Sequence, residues 1–245
     1  MSLKEKLKGL VAAFDEVLFS PEKCVACCRE KSNLDMPFCE RCESKIKTIS
    51  GKVCDKCGMP ITCGNICDKC KHDNFHFDHA RAKFVYDEHS SPMITRFKYA
   101  SAKYLANRLS DFLVEVFAEC DFLCDVVTFV PISPHKLKAR GYNQTEELAK
   151  CFCEKLCLKL ECLLAKTVDT KAQAGLTRKE RQKNLKGTFA ATDKSKIKGK
   201  SILLIDDVFT TGSTTDECAR VLKNAGALQV NVITIAKTCL QNDKN

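Results

Sequence analysis

The chain has 245 residues, carrying 40 Lys or Arg against 31 Asp or Glu for a net charge of +9. That length holds one sizeable core with a small module, or two modest domains. No apolar run reaches the roughly 18 residues of a membrane-spanning helix, which excludes a helical transmembrane protein.

The first segment, residues 1–20, interleaves charged residues with apolar ones instead of building the unbroken apolar stretch of a secretory leader. Leu3, Leu7, Leu10, Phe14 and Val17 fall on one helical stripe, so the spacing predicts an amphipathic helix docked on the neighbouring domain. Without a leader, 18 cysteines point to a reducing compartment, and the expected location is cytoplasmic.

Residues 21–80 hold four Cys-x-x-Cys knuckles: Cys24 and Cys27, Cys39 and Cys42, Cys54 and Cys57, Cys67 and Cys70. Two knuckles together supply four thiolates, which complete a tetrahedral zinc shell and leave no position open for catalysis. The expectation is a double zinc ribbon with two structural ions. A module this small has too little core to fold alone, and zinc binding, worth about 10–16 kcal/mol in zinc-finger peptides, would stabilise it. Cys28 and Cys63 lie close enough in sequence to compete as ligands. Elsewhere Cys151, Cys153 and Cys157 sit in a helical run and Cys120 and Cys124 flank a strand start, where free Cys packs as a small apolar residue.

Residues 81–245 change character. KFVYD reads as a strand, ASAKYLANRLSDFLVEVFAE as an amphipathic helix, and DVVTFVP as a strand. Residues 142–160 read as a helix, CLLAK and SILLIDD as strands, residues 214–224 as a helix and VNVITIAKT as a strand. Short apolar strands alternating with helices predict an α/β domain on a parallel sheet, with ligands gathering beyond the carboxyl ends of the strands.

At one such end stands ILLIDDVFTTGST, residues 202–214. Its loop residues Thr210, Thr211, Gly212, Ser213 and Thr214 lead into a helix, whose unpaired N–H groups form a nest for a phosphate. Asp206 and Asp207 would repel a bare phosphate chain, but they accept hydrogen bonds from vicinal sugar hydroxyls. The implied ligand is a ribose 5-phosphate. Neither GxxxxGK[ST] nor GxGxxG occurs in the chain.

An aliphatic strand, two acidic residues and a Thr/Gly-rich loop resemble the signature of type I phosphoribosyltransferases. With the knuckles, with RFKYAS at residues 96–101, with VPISPHKLKARGYNQTEELA at residues 130–149, and with the spaced set Gln173, Leu176, Arg181, Asn184, Gly187 and Phe189, the chain resembles the ComF family. The resemblance implies a type I phosphoribosyltransferase-like sheet with flanking helices behind a cysteine-rich zinc-ribbon module. It implies 5-phosphoribosyl 1-pyrophosphate (PRPP) with magnesium as ligand. Asp206 and Asp207 would then hold the ribose hydroxyls, residues 210–214 the 5-phosphate, and Arg140 and Gly141 the pyrophosphate. Gln173, Arg181 and Asn184 would belong to a hood that closes over the site; the competing interpretation of that stretch is a solvated basic loop.

Charge is concentrated in residues 133–200, with 17 Lys or Arg against 7 Asp or Glu, a field suited to a small phosphorylated ligand or to a nucleic acid backbone. Trp is absent, and Phe38, Phe75, Phe77 and Tyr142 are the candidate base-stacking platforms, with core packing as the competing role. Two functions stand. One, implied by the resemblance, is DNA uptake in natural transformation, with single-stranded DNA and other DNA-uptake proteins as partners. The other is a phosphoribosyltransferase of nucleotide salvage. Local residues identify neither a nucleobase pocket nor a general base, so turnover stays open.

Overall fold

The computed structural model describes residues 22–34, 36–99, 103–168 and 184–239. The helix expected over residues 1–20 lies outside them, as do Gln173 and Arg181. The chain opens with two copies of one hydrogen-bonded scaffold. In the first, Cys24 N donates to Arg29 O (2.7 Å), Cys28 N donates to Cys24 O (2.9 Å), and Lys23 bridges Glu30. In the second, Cys54 N donates to Met59 O (2.8 Å), Gly58 N donates to Cys54 O (2.8 Å), and Val53 bridges Pro60. Each is completed by a short helix that a cysteine caps: α1 (Glu40–Glu43) after Cys39, and α2 (Asp68–His72) after Cys67.

This scaffold gathers the thiols as the spacing predicts. The sulfurs of Cys24, Cys27, Cys39 and Cys42 lie within 4.8 Å of one another, and so do those of Cys54, Cys57, Cys67 and Cys70. Cys27–Cys39 and Cys57–Cys67 are each separated by 3.7 Å. Tetrahedral zinc with bonds of about 2.3 Å sets its sulfurs about 3.8 Å apart, so both tetrads fit the ion. Cys28 and Cys63 belong to neither group. Cys28 accepts a bond from Arg96 (2.8 Å), and Cys63 is exposed.

The main sheet follows. Strands β1 (His79–Val85), β2 (Val126–Phe129), β5 (Ser201–Phe209) and β6 (Gln229–Lys237) run parallel in the order β1-β6-β5-β2. Alternation of side chains sends Ile202, Leu204, Val230 and Val232 to one face, against Cys218 and Leu222 of α7 (Ser213–Asn224). Leu203, Ile205, Ile233 and Ile235 go to the other, against Leu105 and Leu109 of α4 (Lys103–Ala118) and Leu148 and Phe152 of α6 (Gln144–Leu156). Burial on both faces is why these strands read as unbroken apolar runs. At about 1.5–3 kcal/mol for each buried aliphatic side chain, this double-sided packing is the principal stabilisation of the sheet.

Four elements differ from expectation. CLLAK forms β3 (Leu164–Lys166), which pairs antiparallel with β4 (Phe189–Ala191) in a separate two-stranded sheet. The helix expected over residues 142–160 runs Gln144–Leu156, because Cys157 takes the left-handed conformation at φ 53° and caps it through its N–H on Cys153 O. Helices α3 (Ser91–Tyr99) and α5 (Pro134–Arg140) are additional. The second carries its own signals: Ser133 accepts from Lys136 N, Pro134 opens the helix and Gly141 ends it at φ 82°.

Gly58 separates backbone strain from crowding. Both Gly51 and Gly58 have positive φ, at 74° and 69°, but a Cβ on Gly58 would lie 2.5 Å from Ala80 O, whereas one on Gly51 meets nothing within 4 Å. Gly51→Ala should therefore cost about 1–2 kcal/mol from the left-handed conformation alone. Gly58→Ala should cost clearly more, because the second ribbon must move off β1. Urea denaturation of the two variants checks this, and equal losses would contradict the packing.

Candidate functional site

Beyond the carboxyl ends of β2 and β5 lies a cavity of about 340 Å³. It collects Asp206 and Asp207 from the end of β5, Thr210 and Thr214 from the following turn, and Arg140 from α5. Of the residues expected there, Thr211, Gly212 and Ser213 complete the turn, and Gly141 is the cap one residue past Arg140. Asn184 is not among the lining residues.

The paired carboxylates are nine-tenths buried. Asp207 N donates to Asp206 Oδ1 (2.9 Å), and Asp207 Oδ2 lies 3.0 Å from Lys98 Nζ. Burial, and then the charge of Asp207, push the Asp206 carboxyl up to about 8, against the opposing pull of Lys98 and Lys166. Burial works against the charged form of Lys98, but the aspartates outweigh it and its pKa rises.

In the turn, Gly212 takes φ 82° and caps α7, with Asp216 N and Thr215 Oγ1 both donating to its carbonyl (2.8 and 3.1 Å). Thr211 Oγ1 lies 2.9 Å from Ser213 Oγ and accepts from Ser213 N. Those two hydroxyls therefore organise the turn, while Thr210 and Thr214 face the cavity. A Cβ on Gly212 would lie 2.5 Å from the Phe209 ring and 3.1 Å from that of Phe75. Aromatic packing beneath the turn demands glycine there before any ligand arrives.

Several lining residues went unassigned from sequence. Lys98 enters from α3, Lys136 from α5 and Lys166 from β3; with Arg140 they set four cations against two carboxylates. The RGYNQT stretch builds the opposite wall. Asn143 Nδ2 and Thr145 Oγ1 bond Val130 O (3.2 and 2.6 Å), fixing the turn after β2, and Tyr142 OH donates to Phe97 O (2.6 Å), holding the helix that carries Lys98. Tyr142, Phe38, Phe75 and Phe77 are all buried, so none is a stacking platform on the surface. Gly187 N donates to Glu217 Oε1 (2.7 Å), tying the end of the segment around Asn184 to α7.

Residues 16–71 match the double zinc ribbon domain and residues 148–244 the phosphoribosyl transferase domain. The chain is 26% identical over 215 residues to competence protein ComFC of Bacillus subtilis (strain 168), spanning 83% of this chain and 85% of that one. It is 27% identical over 230 residues to competence protein F of Haemophilus influenzae, spanning 88% and 96%. To DNA utilization protein YhgH of Escherichia coli (strain K12) the identity is 29% over 211 residues, spanning 82% and 88%. Among solved structures, the allosteric regulatory enzyme of purine biosynthesis overlays at a TM-score of 0.40 with 20% identity, over 58% of this chain and 30% of that one.

A raised folded-state pKa at Asp206 carries a definite sign. Between the ordinary aspartate value of 3.8 and about 8 the native protein holds a proton that the unfolded chain releases, so stability falls as pH rises through that window. Asp206→Asn carries no such proton. Its stability should match wild type near pH 4 and exceed it increasingly up to pH 8, a difference that urea titrations across pH measure. A constant difference would mean that Asp206 is charged throughout.

Proposed function

The chain carries the ComF pattern, a double zinc ribbon followed by a phosphoribosyltransferase-like parallel sheet, and on that basis we propose that it is a cytoplasmic DNA-uptake protein that binds PRPP and handles single-stranded DNA. The observation that carries the ligand is the convergence of Asp206, Asp207, the turn into α7 and four cations on one 340 Å³ cavity. Ribose hydroxyls bond the two carboxylates, with Lys98 balancing Asp207. The 5-phosphate lies against the turn of residues 210–214, at the positive end of α7. Lys136, Arg140 and Lys166 face the pyrophosphate. Magnesium, an oxygen-seeking ion that enters with the phosphates, would supply further charge neutralisation there.

For DNA, the described part of the basic segment is partly neutralised: Lys150, Lys155, Lys159 and Lys196 are all ion-paired. Arg29, Arg41 and Lys45 instead surround a cleft of about 310 Å³ on the first ribbon. All three are exposed, and among the described residues none is ion-paired. Glu88 and the ligands Cys27 and Cys42 share its lining, and Arg29, Arg41 and Lys45 are the cations there that a phosphodiester backbone would meet.

Two experiments test the proposal. Calorimetry with PRPP and magnesium should show binding that weakens about tenfold or more when Asp206 and Asp207 both become Asn, since the one charge-assisted bond lost at Asp207 contributes roughly 1.5–3 kcal/mol. Unchanged affinity would remove the ligand assignment, and pyrophosphate release with a nucleobase would establish the salvage transferase instead. For DNA, replacing Arg29, Arg41 and Lys45 with Ala should flatten the slope of log affinity against log salt by about 2 for a single strand. An unaltered slope would put the DNA elsewhere.

A further inference from the structure

The two ribbons share a scaffold and part company in what they touch. The first is fastened to α3: Arg96 donates to the carbonyls of Cys24 and Val25 and to Cys28 Sγ. The second lies under the turn that joins β5 to α7. Lys69, between the ligands Cys67 and Cys70, donates to Thr211 O at 3.5 Å. His76, a few residues on, donates its backbone N–H to Asp216 Oδ1, in the first turn of α7, and sets its ring Nδ1 3.2 Å from the same oxygen. Between these two contacts Phe75 stacks on Phe77 at 4.6 Å, and both meet Phe209 edge-on, at 6.5 and 5.7 Å. The rings fill the space beneath Gly212.

Lys237 completes the floor. It is 2% exposed, with its ammonium 3.7 Å from the centroid of Phe209. Burial holds its pKa below the ordinary lysine value, with the charge of Cys57 opposing that pull.

We infer that the second zinc ribbon is a positioning element of the anion-binding turn, with Lys69 and His76 as the positioning residues that hold residues 211–216 in their ligand-ready shape. The metal acts at a distance from the ligand. It folds the knuckle that carries Lys69, and the strand that leaves the knuckle carries Phe75 and His76. The first ribbon, whose Arg41 stands where the second has Lys69, makes no contact of this kind among the described residues. Loss of the second ion should therefore loosen the turn, and loss of the first should not. The consequence for affinity rests on the proposed PRPP site; the bracing does not.

The test uses the full zinc-loaded chain with Lys69→Met and Asp216→Ala combined, changes that spare every cysteine and remove the acceptor of both His76 contacts. Elemental analysis should still find two zinc ions per chain. Hydrogen exchange without ligand should show the amides of residues 213–218 exchanging at least tenfold faster than in wild type, with the amides of α6 unchanged. PRPP affinity should fall about tenfold. Arg41→Met serves as the matched change on the first ribbon and should leave exchange in the turn as it was. Wild-type exchange in the double variant, or equal acceleration by Arg41→Met, would overturn the inference. Absence of PRPP binding by wild type would sink the ligand assignment and leave the exchange result to decide the bracing.

Discussion

Two carboxyl groups side by side at the end of a strand that is buried on both faces cannot both be charged without compensation. That constraint organises the rest of the molecule. Asp207 lies 3.0 Å from the Lys98 ammonium, and Asp206 is pushed toward neutrality by burial and by Asp207. Lys98 is placed by α3, α3 is pinned by Tyr142 through Phe97 O, and Tyr142 belongs to the stretch that also fixes the turn after β2. Opposite, Lys166 arrives on the small antiparallel sheet. The cavity exists because three separate elements, α3, α5 and β3, deliver charge to one strand end.

The zinc module enters the same arrangement from two sides. Its first ribbon holds α3 through Arg96, two residues before Lys98, so it stands behind the Lys98 and Asp207 side of the cavity. Its second ribbon supports the turn into α7. A small module that needs metal for its own folding thus becomes part of the frame of the larger domain, and the tight approach of Gly58 to Ala80 O shows how closely the second ribbon sits on β1.

Features set by local spacing were legible in the sequence. Cys-x-x-Cys pairs form knuckles because two residues bring thiols together whatever surrounds them, and all eight predicted ligands converge. The buried strands announced themselves as apolar runs, and Asp206 and Asp207 stood out as charges that such a run does not tolerate without a use. What could not be read depends on distant packing. Nothing near Lys98, Lys166 or Arg96 says that the first two meet the aspartates and the third a cysteine carbonyl. Leu164 to Lys166 alternates like any strand, and only its partner around Phe189 removes it from the main sheet. The role of Gly212 was read as room for a phosphate, whereas the rings of Phe209 and Phe75 already require it. Helix α5 was readable from Ser133, Pro134 and Gly141, and its shortness hid it.

Phosphorus NMR of PRPP titrated with the wild-type protein in magnesium addresses the cavity as a whole, since the 5-phosphate and the pyrophosphate report from opposite ends of it. The resonances of both groups should move together and saturate at one ligand per chain, and ribose 5-phosphate should compete. A 5-phosphate resonance that stays in place while the pyrophosphate moves would contradict the account, because the turn into α7 would then bind no phosphate and the cavity would be only a basic cleft.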